Sequence, residues 1–329
     1  MKSAIRTATA VTLLSLWHTA ANAQQATFRS ATELVSLNVS VMGQDARPVS
    51  DLLADQFQIF EDGVPQQLKF FSPGELPLDV VILLDTSASM TGSMELVQQA
   101  AIRFAKSLRE QDRAAVMGIS NGLRVLQAFT NDVPAIERAI RSTRPAGKTP
   151  FYASMYAALN ELTKERRSAT SPRRQAIVVL SDGQDTSSTF TFDELLREVR
   201  KSAVPIYAIA PRPTHMTKAM REHFYGESTA RADFELKALA SDTGGRAFFP
   251  VALVELAGVY DVIATELANQ YSLGYQSTNQ ARNGSFRRIA LKILKPGLTW
   301  RTRAGYVADR ASSARTGGNN DVNNNDAEK

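Results

Sequence analysis

The chain has 329 residues, of which 43% are hydrophobic and 22% are charged, so it is long and apolar enough to bury a full core. The formal net charge is only +5, and basic residues alternate with acidic ones, which argues against a nucleic-acid-binding protein. Because cysteine is absent, the sequence excludes disulfides, thiolate catalysis, zinc–thiolate sites and an acylated-cysteine anchor.

Residues 1–23 have the features of a cleavable signal peptide. Lys2 and Arg6 precede the apolar run ATAVTLLSLW, and the following ANA offers a small-x-small cleavage site. The apolar run is about half the length needed to cross a bilayer, so we favour an exported chain over an uncleaved membrane anchor. No other segment is long enough to span, so we expect no transmembrane span in the mature chain. We therefore expect cleavage after Ala23 and export to the periplasm or the exterior of a bacterium. The absence of cysteine fits such a bacterial compartment better than a eukaryotic secretory route.

Two segments, one near each end of the chain, have β patterning. In residues 24–75, ELVSLNVSVMG alternates apolar and polar residues, and FQIFEDGVPQQLKFF predicts a strand, an Asp62-Gly63 turn and a second strand. Residues 270–310 contain the similar runs YSLGYQS, RRIALKIL and LTWRTRAGY. Because neither segment has enough strands to be stable alone, we expect 270–310 to pair with 27–75 in one small β-sandwich-like domain.

Between these segments, residues 76–269 alternate strand and helix patterns. LDVVILLD and QAIVVLSDG are apolar runs typical of parallel strands that are buried on both faces. The predicted helices cover residues 94–109, 133–142, 151–166, 192–202, 233–241 and 251–269. The pattern predicts an α/β fold with a doubly wound, mostly parallel sheet, inserted into the β domain. The remaining tail, 311–329, is polar and is predicted to be disordered.

The segment DTSAS places Asp85, Ser87 and Ser89 directly after the first buried strand, where a doubly wound sheet opens its binding crevice. All three side chains offer oxygen, which hard cations such as Mg²⁺ prefer and which suits Zn²⁺ or Cu²⁺ less well. Taken alone, DTSAS is explained at least as well by turn and capping hydrogen bonds.

Two further segments complete a pattern. DTSAS, AGKTPFYASMYAAL with Thr149, and VVLSDG with Asp182 together resemble the metal-ion-dependent adhesion site of von Willebrand factor type A (vWA) domains. The resemblance implies a Rossmann-like vWA fold. It also implies a divalent cation, Mg²⁺ or alternatively Mn²⁺ or Ca²⁺. The implied ligands are the hydroxyls of Ser87, Ser89 and Thr149, with the carboxylates of Asp85 and Asp182 binding directly or through water.

The flanking segments strengthen the resemblance. DQFQIFEDGVPQQLKFF before the α/β region, and YSLGYQS, FRRIALKI and RTRAGY after it, resemble a secreted bacterial subfamily of vWA proteins. One departure is Lys148, which stands where many members of the family have glycine and whose ammonium can either weaken cation binding or assist an incoming carboxylate. Asp185 and Thr186 follow Asp182 in the same loop, where they could assist the ligands, but we expect them to lie in a solvated loop outside the core site.

His215 and His223 lie in a polar insertion, residues 211–232, with Glu222 and Glu227 nearby. Their spacing matches no metal motif, so we expect a surface loop here instead of a second metal site.

The resemblance implies a non-enzymatic adhesion module that captures a carboxylate on a protein or acidic polymer through the cation. One alternative is a metal-dependent hydrolase of phosphate or ester groups, although the sequence shows neither an obvious general base nor a nucleophile elbow. Another is a structural component of a cell-envelope assembly. No nucleotide-binding glycine motif follows any predicted strand, so we expect neither a nucleotide cofactor nor catalytic residues.

Overall fold

The computed structural model describes residues 34–212 and 218–308, without the side chains of Ser89 and of residues 218–225. The predicted signal peptide, 1–23, and the predicted disordered tail, 311–329, lie outside the described residues. The limits of the predicted domains stay predictions.

Strands and helices follow one another along the described chain. The strands are β1 (Leu34–Met42), β2 (Phe57–Glu61), β3 (Val64–Gln66), β4 (Leu68–Pro73), β5 (Leu78–Asp85), β6 (Arg113–Ile119), β7 (Leu123–Thr130), β8 (Arg174–Leu180), β9 (Ile206–Ile209), β10 (Arg246–Phe248), β11 (Tyr271–Gln276), β12 (Phe286–Ile293), β13 (Thr299–Arg301) and β14 (Gly305–Val307). The helices are α1 (Met94–Ser107), α2 (Val133–Arg141), α3 (Phe151–Ser168), α4 (Phe192–Ser202), α5 (Lys218–Thr243) and α6 (Leu256–Ala268).

A central sheet with the strand order β10-β9-β8-β5-β6-β7 forms the middle layer of the α/β region. β5 pairs in parallel with both β6 and β8, and only the edge strand β7 is antiparallel to its neighbour within this sheet. Every residue of LDVVILLD is buried, because helices cover both faces of the sheet. α1, α2 and α6 pack on one face and α3, α4 and α5 on the other. The predicted doubly wound α/β fold is confirmed.

The strand order places a topological switch point between β5 and β8. From β5 the chain continues to β6 and β7 on one side, and it then crosses to β8 on the other side. In such sheets, ligands bind in the crevice outside the carboxyl ends of the two strands at the switch. Asp85 is the last residue of β5, and Asp182 follows shortly after β8, so both carboxylates lie at this crevice.

Two further sheets, with the strand orders β13-β1-β11-β4 and β14-β12-β2-β3, combine the N- and C-terminal segments. β1 pairs with β11, and β2 pairs with β12, both antiparallel. Apolar side chains from both sheets share one core: Val35, Leu37, Val39, Val41, Leu52, Phe57, Ile59, Tyr271, Leu273, Tyr275, Ile289, Leu291 and Ile293. Asp62 and Gly63 adopt positive φ angles of 48° and 83° and close the predicted turn between β2 and β3. The prediction that the N- and C-terminal segments form a β-sandwich-like unit together is confirmed.

Helix α5 corrects the prediction for residues 211–232. A surface loop is wrong from Lys218 onward, because the helix begins there. Between Gly226 and Arg231 the side chains are exposed or half-buried, and Ala232 is buried; this part of the helix therefore lacks the apolar stripe that reveals a helix in a sequence. His215 and the side chain of His223 lie outside the described residues. None of the helices in the described ranges is both long and apolar enough for a bilayer span.

Candidate metal centre

Asp85 ends β5 with its carboxylate fully buried. Because Leu84 lies opposite Leu180 in the neighbouring strand, Asp85 is next to Ser181. The Ser181 hydroxyl donates to Oδ2 of Asp85 at 2.7 Å, and the backbone N–H of Ser87 donates to Oδ1 at 2.9 Å. Each carboxylate oxygen is thereby held by one donor, and the orientation of the carboxylate is fixed.

The DTSAS loop is joined to the segment that carries Thr149. The N–H of Ala88 donates to the carbonyl of Gly147 at 3.2 Å, and the N–H of Ala146 donates to the carbonyl of Thr86 at 2.7 Å. Ser87 is only 2% exposed and lies within this junction. The side chain of Ser89 lies outside the described residues, so its predicted role as a ligand stays a prediction.

Thr149 lies just before α3, where it is 5% exposed. The preceding residue, Lys148, is exposed, and its main chain is fixed by Asn121: the N–H of Lys148 donates to Oδ1 of Asn121, and the N–H of Asn121 donates to the carbonyl of Lys148, both at 2.9 Å. Gly147 has a φ of +77°, and a Cβ there would lie 2.5 Å from Nδ2 of Asn121. Glycine is therefore required at 147 for the loop to approach Asn121.

Asp182 is half-buried beyond the end of β8, and its Oδ1 accepts the N–H of Gln184 at 3.0 Å. Burial raises the pKa of Asp182 above its usual value, and the charge of Asp85 raises it further, while the Gln184 N–H and Arg212 lower it. The two carboxylates are thus close enough to repel each other. Arg212 donates to the backbone carbonyl of Asp182, but its salt bridge is with Asp233.

The negative charge of Asp85 and Asp182 lacks a compensating cation within the protein as described. Among the described residues, no Lys, Arg or His forms a salt bridge with either carboxylate. The described residues contain no group of three or more His, Asp or Glu side chains that could hold a metal ion. Hydroxyl groups would therefore have to complete any ligand set at this crevice. Carboxylate and hydroxyl oxygens at a polar crevice fit a hard divalent cation.

Sequence comparison identifies the family to which this architecture belongs. The sequence model of the von Willebrand factor type A domain matches residues 79–259, which is more than half of the chain. The chain belongs to the von Willebrand factor type A family. The resemblance inferred from DTSAS, Thr149 and Asp182 is therefore confirmed at the level of the family, while metal binding by these residues stays a prediction.

Several solved structures are similar to this vWA protein at low sequence identity. A von Willebrand factor type A protein from Catenulispora acidiphila is 12% identical, with a TM-score of 0.47, over 87% of this chain and 76% of that one. The vWF domain of the type V pili tip protein Mfa5 from Porphyromonas gingivalis is 15% identical, with a TM-score of 0.43, over 57% of this chain and 94% of that one. Proximal thread matrix protein 1 from the mussel byssus, with a zinc-occupied MIDAS motif, is 15% identical, with a TM-score of 0.47, over 64% of this chain and 50% of that one. This chain thus spans half of the mussel protein, and family membership rests on the sequence match.

The vWA site contains three contributors that the sequence did not reveal. Ser181 was not predicted, although its hydroxyl orients Asp85. Thr186 is exposed and Asp185 half-buried, and both also contact the α3 segment: Oδ1 of Asp185 accepts the N–H of Tyr152 at 3.1 Å, and Oγ1 of Thr186 accepts the N–H of Thr149 at 2.9 Å. Their position directly after Asp182 was the available signal. The contacts themselves connect residues more than 30 positions apart, which no local pattern shows.

Proposed function

We propose that this vWA protein is an exported, non-enzymatic binding module that captures a carboxylate on a protein or acidic polymer through a divalent cation. Asp85, Ser87, Ser89, Thr149 and Asp182 would hold the cation, with Mg²⁺ as the first choice and Mn²⁺ or Ca²⁺ as alternatives. When bound, the cation supplies positive charge and an open coordination position for the partner's acid. Export would follow from the leader at residues 1–23.

One observation carries the proposal: a buried carboxylate, Asp85, and a half-buried one, Asp182, lie after neighbouring strands at the switch point, and neither forms a salt bridge within the described residues. Burying unpaired charge is costly, so proteins either pair such groups or bind metal with them. The family match and the relative with a zinc-occupied MIDAS motif support a divalent cation at this site without selecting among Mg²⁺, Mn²⁺ and Ca²⁺. The pilus tip relative supports a role in adhesion.

Lys148, next to the predicted ligand Thr149, would help to select an acidic partner. Lys148 is exposed and directly precedes Thr149, so its ammonium can reach an incoming anion without being a ligand itself. Its main chain is fixed through Asn121, and this limits the space over which the side chain can range. A negatively charged partner would be attracted by both the cation and Lys148.

Isothermal titration calorimetry with MnCl₂ tests the cation site. We expect one Mn²⁺ to bind to the wild-type chain and no binding to Asp85→Asn, which keeps the size of the side chain but removes its charge. Asp193→Asn is the matched control, because Asp193 is exposed in the first turn of α4, and it should bind as the wild type does. Equal affinity in the wild type and Asp85→Asn would contradict the proposal.

Affinity capture from a bacterial envelope extract tests the binding role. The immobilised wild-type chain should retain a partner in MgCl₂ and release it in EDTA. The immobilised Asp85→Asn variant should retain no partner in either buffer. Lys148→Gln should retain less partner while binding Mn²⁺ at least as well as the wild type. Capture that is equal in MgCl₂ and EDTA would show that the partner does not use the cation.

A further inference from the structure

The loop that begins at Asp182 folds across the start of α3, the helix that follows Thr149. Oδ1 of Asp185 accepts the N–H of Tyr152 at 3.1 Å, and the hydroxyl of Ser188 accepts the N–H of Ala153 at 3.1 Å. The Ser188 hydroxyl also donates to Oδ1 of Asp185 at 2.6 Å. The first N–H groups of a helix have no partner within the helix, so a neighbouring loop that satisfies them is held firmly against it.

Thr186 extends this contact to Thr149 itself. The N–H of Thr149 donates to Oγ1 of Thr186 at 2.9 Å, and the N–H of Thr186 donates to the carbonyl of Thr149 at 2.9 Å. The first of these hydrogen bonds uses the side chain of Thr186 and the second its main chain, and the Thr186 hydroxyl also donates to the Thr149 carbonyl at 3.3 Å. Both the position and the orientation of the Thr149 main chain are thereby fixed.

The consequence concerns two predicted ligands from distant parts of the sequence. Thr149 precedes α3, whereas Asp182 follows β8, and Thr186 joins the two segments four residues after Asp182. We infer that Thr186 is a positioning residue: it holds Thr149 in place relative to Asp182 and so assembles that half of the cation site before any cation arrives. This inference rests on the proposed function, because it assigns Thr186 a role in the same site.

The physical reason is preorganisation. A ligand group that is already held in place does not have to be ordered when the ion binds, so less of the binding free energy is lost. Residues that orient metal ligands without touching the metal typically contribute about 10- to 100-fold to metal affinity. Thr186 is exposed and contacts the protein at Thr149, so its hydroxyl can be removed without opening a cavity in the core.

The first test needs no metal. Thr186→Val keeps the branched shape but removes the acceptor, and Thr186→Ser keeps the hydroxyl. Thr189→Val is the matched control, since Thr189 is exposed in the same loop. In EDTA, amide hydrogen exchange measured by NMR should become faster at Thr149 in Thr186→Val alone. Exchange at Thr149 that is the same in Thr186→Val and Thr189→Val would overturn the inference.

The second test separates positioning from general structural support. Mn²⁺ affinity should fall about 10-fold in Thr186→Val and recover in Thr186→Ser. If Thr186 acts through Thr149, then Thr149→Val and the double variant Thr149→Val/Thr186→Val should bind Mn²⁺ with the same affinity. Fully additive losses would overturn the inference. A wild-type chain that binds no Mn²⁺ would overturn the proposed function, and the exchange experiment would still decide whether Thr186 holds Thr149.

Discussion

Glu61 in the β-sandwich and Asp85 in the vWA domain are both buried carboxylates, but the protein surrounds them differently. Glu61 forms a salt bridge with the buried guanidinium of Arg287 at 3.1 Å. It also accepts hydroxyl hydrogen bonds from Tyr275 at 2.8 Å and from Tyr306 at 3.0 Å. Asp85 accepts one hydroxyl and one backbone N–H, and within the described residues it has no salt bridge.

A second acid shows the same contrast. Glu266, on α6, is 1% exposed, accepts hydrogen bonds from Ser40 and Tyr207 at 2.7 Å each, and pairs with Arg301. This cluster ties the last vWA helix to strands of both the central sheet and the β-sandwich. Glu61 and Glu266 are therefore neutralised by the chain itself. Asp85 has no salt bridge within the described residues, and its charge raises the pKa of a second carboxylate, that of Asp182.

The largest effect should come from removing the charge of an acid that the chain itself neutralises. Glu61→Gln leaves the guanidinium of Arg287 buried without its partner, and breaking a buried ion pair in this way costs about 3–5 kcal/mol. Urea denaturation followed by circular dichroism should show this loss in the free energy of unfolding. Glu75→Gln, at an exposed position, should change stability by less than about 0.5 kcal/mol. Equal stability of the two variants would remove the contrast between the two kinds of carboxylate.

Metal addition should produce the next largest effect, and only at the vWA site. At a free Mn²⁺ concentration 100 times the Kd, the folded chain should gain about 2.7 kcal/mol of stability, and EDTA should reverse the gain. Glu61→Gln should keep this increment, because the two sites are separate and their effects add. A gain that persists in Asp85→Asn would place the cation elsewhere.

The smallest effect should be that of Asp85→Asn without metal. The substitution removes a buried charge that has no cationic partner and relieves its repulsion with Asp182, so little is lost beyond a weakened hydrogen bond. In EDTA, the free energy of unfolding should fall by less than about 1.5 kcal/mol or even rise. A loss as large as that of Glu61→Gln would mean that the protein already neutralises Asp85.

The sequence predicted those parts of the fold that have a strong hydrophobic pattern. LDVVILLD has apolar side chains on both faces, so its position in the middle of the parallel sheet could be read directly, and β1 with its alternating pattern was equally clear. The part of α5 before residue 233 was missed, and between Gly226 and Arg231 the described side chains form no buried apolar face. Further along the helix, Leu236 and Leu239 are buried in the core on one face of the central sheet.

The candidate site was predictable only in part. Asp85, Thr149 and Asp182 could be proposed as ligands because the family pattern fixes their residue types and their positions after strands or before a helix, and their binding of a cation stays a prediction. The contacts of Ser181 and Thr186 could not be predicted, because they depend on the alignment of β8 beside β5 and on how the Asp182 loop meets α3. A serine or threonine in a loop can either stabilise a turn or orient a neighbouring ligand residue, and only three-dimensional contacts distinguish these two roles.

The most direct measurement of the central claim is anomalous diffraction from crystals of the chain soaked in MnCl₂. The account predicts a manganese peak between Asp85, Ser87, Thr149 and Asp182, with the Ser89 hydroxyl in the coordination shell and one position facing solvent. A peak located elsewhere, no peak at saturating Mn²⁺, or a shell completed entirely by the protein's own side chains would contradict it.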